Sequence, residues 1–172
     1  MAQVRAAVRQ DAGSIAEVHV VSWRAAYHGV FPDLFLDSLT VDDRARRWRQ
    51  VLIDGREHVA VIEEDGQIVG FAVVGASRDA DAADAQVGEL QAIYLHPRWW
   101  EHGFGAELID AATAWLVDAG FVAATLWVLD RNDHARRFYE HHGWRPDGSV
   151  KLATIGGVEI TEVRYRRMFR KN

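Results

Sequence analysis

Two short segments contain most of the residue types that could carry chemistry. The first is HPRWWEHGFGAEL, residues 96–108. Gly103 and Gly105 lack side chains, so the chain can turn tightly there and offer backbone N–H groups at the start of a helix. This arrangement predicts an anion site that a pyrophosphate would fit, although paired glycines at a helix start also occur as plain turn residues.

The second segment is LWVLDRNDHARRFYEHHGW, residues 126–144. A helix that opens near Asn132 places Phe138 and Tyr139 on its inner side, with Asn132 facing the end of the preceding strand. Tyr139 then has two interpretations, a buried core tyrosine or a phenol available for proton transfer.

The cysteine and histidine content limits the chemistry further. The chain has no cysteine, which removes disulfides, thiolate nucleophiles and cysteine-based zinc sites. Acid–base chemistry must therefore come from His, Glu, Asp or Tyr. Among the eight histidines no pair has a convincing metal spacing, so no metal is expected.

The amino-terminal part of the chain predicts a strand and two helices. Residues 4–8 read as a short strand, and Asp11 is a good N-cap for the helix that follows. One face of that helix repeats every four residues, as Ile15, His19, Trp23 and Tyr27. A second helix is predicted from Thr40, where Thr40 and Asp43 resemble a capping box.

The rest of the chain alternates strands and helices. Asp65-Gly66 predicts a tight hairpin between two β-rich runs, and Gly156-Gly157 predicts a terminal one. Residues 77–86 have little to bury and read as a solvated loop. The remaining predicted elements are strands over 87–95 and 123–129, helices over 103–119 and 133–142, and hairpin strands over 151–155 and 158–168.

This order predicts an α/β (α+β) fold in which helices cover a mixed sheet. With 172 residues and 49% apolar residues, the chain is expected to form one domain, residues 1–172. Its net charge of −5 makes nucleic acid an unlikely partner. The amino terminus lacks the apolar run of a secretory signal, and no stretch reaches membrane-spanning length, so a cytoplasmic location without membrane partners is the expectation.

Taken together, the two segments resemble the GNAT acetyltransferase family. Its members have a strand ending near V-x-P, then a Q/R-x-x-G-x-G/A loop, and later N-x-x-A-x-x-F-Y-x-x-x-G-F/W. Here the first pattern reads Leu95-His96-Pro97 with the loop Trp100 to Gly105, and the second reads Asn132 to Tyr139 with Gly143-Trp144. Both occur in the expected order, and the predicted elements match the family fold over nearly the whole chain.

The resemblance implies an N-acetyltransferase that uses acetyl-CoA, with a mostly antiparallel sheet and a splayed parallel strand pair at the acetyl-CoA site. It implies direct attack by the amine through a tetrahedral intermediate, with Tyr139 protonating the departing thiolate. Asn132 would bind the pantetheine, whose arm pairs with the strand, while loop amides hold the pyrophosphate. The implied cofactor-binding residues are Ile93, Tyr94, Leu95, Glu101, His102, Gly103, Phe104, Gly105, Ala106, Asn132 and Arg136.

The resemblance also implies a general base and an acceptor side. Glu89 lies where several members place a catalytic glutamate, although a surface glutamate near a strand start is equally compatible with the sequence. His19, His96 and His134 are alternative bases. In this family the region of Trp23 and Tyr27 forms the acceptor side, so the two rings either bind substrate or belong to the core.

The acceptor itself is expected to be a small-molecule amine. Some members that acetylate protein amino termini have an acid on the strand matched by residues 126–128, and this stretch has none. The alternatives are a protein amino-terminal or lysine acetyltransferase and a catalytically silent acyl-CoA-binding module. The terminal hairpin makes a homodimer a further expectation.

Two loop residues depart from the family pattern. Trp100 stands where Gln or Arg is usual, and Glu101 stands where Gly is common. A carboxylate near an anion site is unfavourable unless it points outward, with His102 offsetting part of its charge. We therefore expect weaker CoA binding than the consensus loop would give.

Overall fold

The computed structural model describes residues 1–82 and 86–169, which form seven strands and five α-helices. The strands are β1 (Gln3–Ala6), β2 (His58–Glu64), β3 (Gln67–Ala76), β4 (Val87–Leu95), β5 (Ala123–Leu129), β6 (Arg145–Ile155) and β7 (Val158–Met168). The helices are α1 (Ala12–Tyr27), α2 (Asp33–Ser38), α3 (Val41–Asp54), α4 (Phe104–Asp118) and α5 (Asp133–His141).

The strands form one mixed sheet in the order β1-β2-β3-β4-β5-β7-β6. β4 and β5 are parallel, whereas β1–β2, β5–β7 and β6–β7 are antiparallel. The predicted α/β fold with a mostly antiparallel sheet is therefore confirmed. By its internal contacts the chain divides into two compact units, Met1–Val73 with Ala92–Ala112 and Val74–Gln91 with Thr113–Asn172.

In the first unit, α1 and α3 pack on the β2–β3 hairpin. The turn residues Asp65 and Gly66 both have positive φ, 50° and 76°, as a tight two-residue hairpin turn requires. Both this hairpin and the cap at Thr40 are confirmed, since the Thr40 hydroxyl accepts a hydrogen bond from the Asp43 N–H. The core of this unit contains Ile15, Ala16, Val18, Ala45, Trp48, Val59, Val61, Phe71 and Val73.

Asp11 does not cap α1 as the sequence predicted. Its carboxylate makes no cap hydrogen bond to the helix and instead accepts from Val8 N–H at 2.8 Å and from Arg5 at 2.7 Å. Arg5 also binds Glu63 at 3.0 Å, and its hydrogen bond to Asp11 holds the pKa of that carboxyl below its usual value. Asp11 thus ties the first strand to the start of α1 through an ion pair with Arg5 and a hydrogen bond from the Val8 N–H.

The short helix α2 was not predicted. Its six residues are too few for a clear helical period. The guanidinium of Arg24, twelve residues before Leu36, donates to the carbonyls of Leu36 at 3.1 Å and Leu39 at 2.8 Å. These bonds satisfy carbonyls at the end of α2, so tertiary contacts stabilise a segment whose own propensity is weak.

In the second unit, β5 and β7 have the predicted bounds, whereas β6 starts six residues earlier than predicted. The early part of β6 contains a bulge between Pro146 and Val150, with Gly148 at φ 89°. A bulge interrupts the period-2 pattern from which a strand is recognised, which explains the missed residues. The parallel pairing of β4 and β5 joins Val87–Glu89 to Ala123–Thr125.

The loop between β3 and β4 is held more firmly than its composition predicted. Its described part includes Asp79 and Asp81, which bind the guanidinium of Arg164 at 3.1 Å and 2.7 Å. Arg164 also binds Asp147 at 2.7 Å, and only 8% of its side chain is exposed. Residues 83–85 of the predicted loop lie outside the described residues. One buried arginine therefore joins loop, β6 and β7.

An aromatic cluster surrounds His19 in the first unit. The imidazole stacks on Tyr94 with a 5.5 Å centroid distance and contacts Trp23, Trp48 and Phe71 at 5.8–5.9 Å. The Trp48 indole N–H donates to His19 Nδ1 at 3.2 Å. Burial, with a smaller contribution from the charge of Arg44, lowers the pKa of His19 to about 4. His19 is therefore neutral at physiological pH.

This lowered pKa predicts a loss of stability in acid. Because the unfolded chain binds a proton at His19 near pH 6.5 and the folded chain only near pH 4, the free energy of unfolding should fall over that interval. His19→Gln, which keeps an acceptor for Trp48, should flatten the fall by about 1–3 kcal/mol. Urea unfolding at several pH values measures the difference.

The matched control is His134→Gln, which changes an exposed histidine. It should leave the pH dependence of wild type unchanged. The slope that remains in His19→Gln comes from other groups with shifted pKa, among them His58, whose pKa burial lowers, and Asp11, whose pKa Arg5 lowers. Equal slopes in wild type and His19→Gln would contradict the prediction.

Candidate functional site

The end of β4 leads into a turn that the sequence builds locally. Pro97–Trp99 form one turn of 3-10 helix, capped by His96 Nδ1, which accepts from the Arg98 N–H at 3.2 Å. The Trp100 indole N–H reaches back to the Leu95 carbonyl at 3.0 Å. The unusual Trp100 thus has a structural role, since it fastens the loop to the strand that precedes it.

After this turn, two residues with positive φ direct the chain into α4. They are Glu101 at 65° and Gly103 at 84°. The Gly103 carbonyl accepts from the N–H groups of Ala106 at 3.0 Å and Glu107 at 3.3 Å. In the described parts of the chain, the N–H groups of residues 104 and 105 have no backbone acceptor. Free amides at a helix start are the donors that bind phosphate oxygens.

Two side chains that precede Gly103 lie at the surface of the loop. Glu101 is exposed. His102 is exposed too, and its Nδ1–H donates to the Trp100 carbonyl at 2.7 Å, which orders the loop just before the helix. Among the loop amides predicted to hold the pyrophosphate, the Ala106 N–H already donates a hydrogen bond to the Gly103 carbonyl.

The position of the β4 end depends on a close approach at Gly70. A Cβ atom at Gly70 would overlap the Leu95 side chain and come within 3.0 Å of Ile62 and Leu108. The His96 N–H continues the contact by donating to the Val69 carbonyl at 2.8 Å. Glycine is therefore required at residue 70 if Leu95 is to lie between β3 and α4.

The predicted acceptor residues Trp23 and Tyr27 lie in the aromatic cluster of the first unit. Their rings contact each other at 4.9 Å, and Phe31 packs on both. Both side chains are half-buried, so they belong partly to the core and partly to the surface. The Trp23 indole nitrogen is buried without a hydrogen-bond partner among the described residues, and a buried donor of this kind favours a ligand with an acceptor group.

His19 is excluded as the general base by its surroundings. Its Nδ1 accepts from Trp48, so the neutral ring carries its proton on Nε2 and has no second acceptor. With its pKa lowered to about 4, it does not take up a proton near neutrality. His96 uses Nδ1 as a cap, and His134 is exposed.

Glu89, in the second unit, is buried and ion-paired rather than a surface residue. Its side chain is 3% exposed and lies beneath Arg78, whose side chain is 64% exposed. Arg78 donates to Oε1 at 2.6 Å through Nη2, and to Oε2 through Nε at 3.1 Å and its backbone N–H at 3.0 Å. Sequence reasoning missed Arg78 because nothing in a polar loop indicates which strand residue it meets.

Asn132 is the N-cap of α5, as its place before the helix indicated. Its Oδ1 accepts from the Ala135 N–H at 3.1 Å, so its amide N–H groups point away from the cap bond. Arg136, predicted to bind the cofactor, donates to the Tyr165 hydroxyl at 3.0 Å and to the Asp130 carboxylate at 2.8 Å. Tyr165 in turn donates to Glu140 at 2.7 Å, so this network fixes α5 on β7.

Tyr139 is half-buried on the inner side of α5. Its ring contacts Phe138 at 5.5 Å and Tyr165 at 6.4 Å, and its carbonyl accepts from the Trp144 N–H at 3.1 Å. Gly143, at φ 83°, closes the helix as predicted. The Tyr139 side chain therefore packs on its neighbours and also keeps part of its surface exposed. Both interpretations from the sequence, a core tyrosine and a phenol available for proton transfer, are compatible with this position.

The predicted site residues divide between the two units. The first unit contains Trp23, Tyr27, Ile93, Tyr94, Leu95, Glu101, His102, Gly103, Phe104, Gly105 and Ala106; the second contains Glu89, Asn132, Arg136 and Tyr139. Within residues 1–82 and 86–169 no three acidic or histidine side chains group as a metal site requires. No helix in the same ranges is long and apolar enough to cross a membrane.

Comparison with known proteins shows similarity to acetyltransferases. Residues 15–144 match the model of the acetyltransferase (GNAT) family. The chain is 33% identical to the uncharacterized N-acetyltransferase YuaI of Bacillus subtilis, over 95% of this chain and 91% of that protein. It is 32% identical to an aminoglycoside N(6')-acetyltransferase type 1 of Stenotrophomonas maltophilia, over 58% of this chain and 62% of that protein.

Solved structures show the same fold. The PaiA N-acetyltransferase of Thermoplasma acidophilum, in complex with coenzyme A, superposes with a TM-score of 0.76 at 17% identity, over 98% and 99% of the two chains. YncA of Salmonella typhimurium, with acetyl-CoA, also has a TM-score of 0.76, at 19% identity over 100% and 96%. With the family model matching most of its length, the chain belongs to the GNAT acetyltransferase family.

Proposed function

We propose that residues 1–172 form one N-acetyltransferase domain that transfers the acetyl group of acetyl-CoA to a small-molecule amine. The observation that carries the proposal is the start of α4, where the N–H groups of residues 104 and 105 are without backbone acceptors within the described residues. Such amides bind a pyrophosphate without any basic side chain. A panel of amines incubated with acetyl-CoA, with release of free thiol as the readout, tests the activity.

The free N–H groups at the start of α4 suit the negative charge of a pyrophosphate. The helix dipole of α4 adds partial positive charge at the same point, and Glu101 is exposed to solvent. The main-chain groups of Ile93 to Leu95 would pair with the pantetheine, in the manner of an added strand. The Leu95 carbonyl already accepts from Trp100, which leaves it one further lone pair.

Two side chains of the second unit would move protons. The amine nitrogen must lose a proton to attack the thioester carbon, and Glu89 would receive that proton directly or through a water. A carbon–nitrogen bond then forms, the carbon–sulfur bond breaks, and the Tyr139 hydroxyl protonates the leaving sulfur. Arg78 holds this carboxylate in place through three hydrogen bonds.

For the acceptor, two observations favour a small amine. The half-buried rings of Trp23 and Tyr27 contact each other and offer an aromatic surface. The similarity to an aminoglycoside N(6')-acetyltransferase supports the same class of acceptor. Amino sugars therefore belong in the first panel, beside simple aromatic and aliphatic amines.

If the free N–H groups at the start of α4 bind the pyrophosphate, Gly105→Asp should weaken acetyl-CoA binding. The new carboxylate would oppose the pyrophosphate and remove hydrogen bonds to a charged group, so Kd should rise by about 30-fold, or about 2 kcal/mol. Calorimetry with acetyl-CoA measures it. Gly13→Asp is the control, because it adds the same charge to the first turn of α1, where a Cβ atom meets nothing within 4 Å. Equal affinities in the two variants would place the ligand elsewhere.

If the Tyr139 hydroxyl protonates the leaving sulfur, Tyr139→Phe should lower kcat by about 10- to 1,000-fold, and the affinity for acetyl-CoA should barely change. The ring that packs on Phe138 is kept, so only the hydroxyl is lost. Tyr165→Phe serves as the contrast, since that hydroxyl bonds Arg136 and Glu140 and its loss should affect stability more than turnover. Wild-type turnover in Tyr139→Phe would reassign Tyr139 to packing.

If Glu89 receives the proton of the amine, Glu89→Gln should lower turnover at neutral pH by about ten-fold or more. Part of this loss should be recovered at high pH, where free amine is present. The substitution also breaks a buried ion pair and lowers stability. Arg78→Gln breaks the same ion pair but keeps the carboxylate, so it should lose less turnover at comparable thermal stability. If Glu89→Gln lowers turnover by the same factor at every pH, Glu89 orients the substrate and does not act as the base.

A further inference from the structure

One buried hydroxyl in the second unit has no role in the chemistry described so far. Thr125 is 1% exposed, and its Oγ1 has no hydrogen-bond partner among the described residues. A buried polar atom without a partner costs free energy, and such atoms in native proteins usually meet a water or a ligand. Thr125 is therefore an unusual choice for a buried strand position, where valine would fit equally well.

Thr125 is paired directly with Glu89. In the parallel register of β4 and β5, Glu89 lies opposite Thr125, and this is the last of the three paired positions. Because side chains alternate along a strand, the two opposite residues point to the same face of the sheet. The unpartnered hydroxyl and the buried carboxylate are therefore neighbours at the place where the pairing of the two strands ends.

The carboxylate of Glu89 also retains one unused acceptor position. A carboxylate offers about four lone-pair directions, and Arg78 fills three of them. Oε2 accepts two of these bonds and Oε1 accepts one, so the remaining direction is on Oε1. One small polar group could bond both to this lone pair and to the Thr125 hydroxyl.

We infer that Thr125 is a positioning residue, whose hydroxyl holds the water through which the acceptor amine passes its proton to Glu89. The Thr125 O–H donates to the water oxygen, and the water donates one hydrogen to Oε1. The second lone pair of the water oxygen faces the amine and takes up the ammonium proton. The water hydrogen that was donated to Oε1 then passes to Glu89, so charge and protons balance. This inference rests on the proposed function and adds to it a residue that the sequence did not single out.

Three arginines come from the elements next to this pair. Arg78 approaches from the loop after β3, and Arg166 lies opposite Thr125 on β7. Arg164, two residues earlier on β7, is already bound by three aspartates. Arg78 is therefore the cation that contacts the carboxylate, whereas Arg164 is already paired with acidic groups.

The experiment compares Thr125→Val with Thr125→Ser. Valine keeps the shape and removes the hydroxyl, so kcat should fall by about ten-fold with KM for acetyl-CoA unchanged, while the midpoint of thermal unfolding stays constant or rises. Serine keeps the hydroxyl and should restore most of kcat. Thr154→Val, which removes an exposed threonine hydroxyl from β6, is the control and should behave as wild type.

A double variant tests whether Thr125 acts through Glu89. If both lie on one proton path, Glu89→Gln with Thr125→Val should lose little more than Glu89→Gln alone. Losses that multiply, or turnover within two-fold of wild type in folded Thr125→Val, would overturn the inference and leave the proposed function intact. Absence of thiol release by wild type with every amine would overturn the proposed function, and this inference with it.

Discussion

The parallel pairing of β4 and β5 ends after three residues of each strand, and much of the candidate site follows from this constraint. Backbone groups of a strand need partners, and among the described residues β4 has no paired position in β5 beyond Glu89. A ligand that binds as an added strand could use such an edge. The last paired residues, Glu89 and Thr125, are also the ones whose side chains hold a buried charge and an unpartnered hydroxyl.

Several carboxylates in this chain are paired with arginines that lie between 6 and 85 residues away in the sequence. Arg5 binds Asp11 and Glu63, Arg78 binds Glu89, and Arg164 binds three aspartates. Removing one member of a buried pair costs several kcal/mol, because the other charge is left without water or partner. These pairs therefore contribute more to the positions of the loops and strands than to net stability. The Glu89–Arg78 pair is the one that also bears on chemistry.

The loop before α4 departs from the family pattern, and the structure shows how the departure is accommodated. Trp100 gives up the usual polar side chain but donates its indole N–H to the Leu95 carbonyl. Glu101 adopts a positive φ and is exposed to solvent. Since the proposed donors to the pyrophosphate are main-chain amides, their direction depends chiefly on the backbone turn at Gly103. The expected weakening of CoA binding remains a prediction.

The sequence by itself determined most of the elements and the family. Hairpin turns at Asp65-Gly66 and Gly156-Gly157, the cap at Thr40 and the exact bounds of β5 follow from local φ preferences and side-chain periodicity. Tertiary structure alone decided that Asp11 binds Arg5, that Arg24 stabilises α2, that Glu89 lies beneath Arg78, and that Thr125 meets no partner among the described residues. Each of these depends on which residue folding brings near, and such a contact leaves no period or spacing in the chain from which it could be predicted.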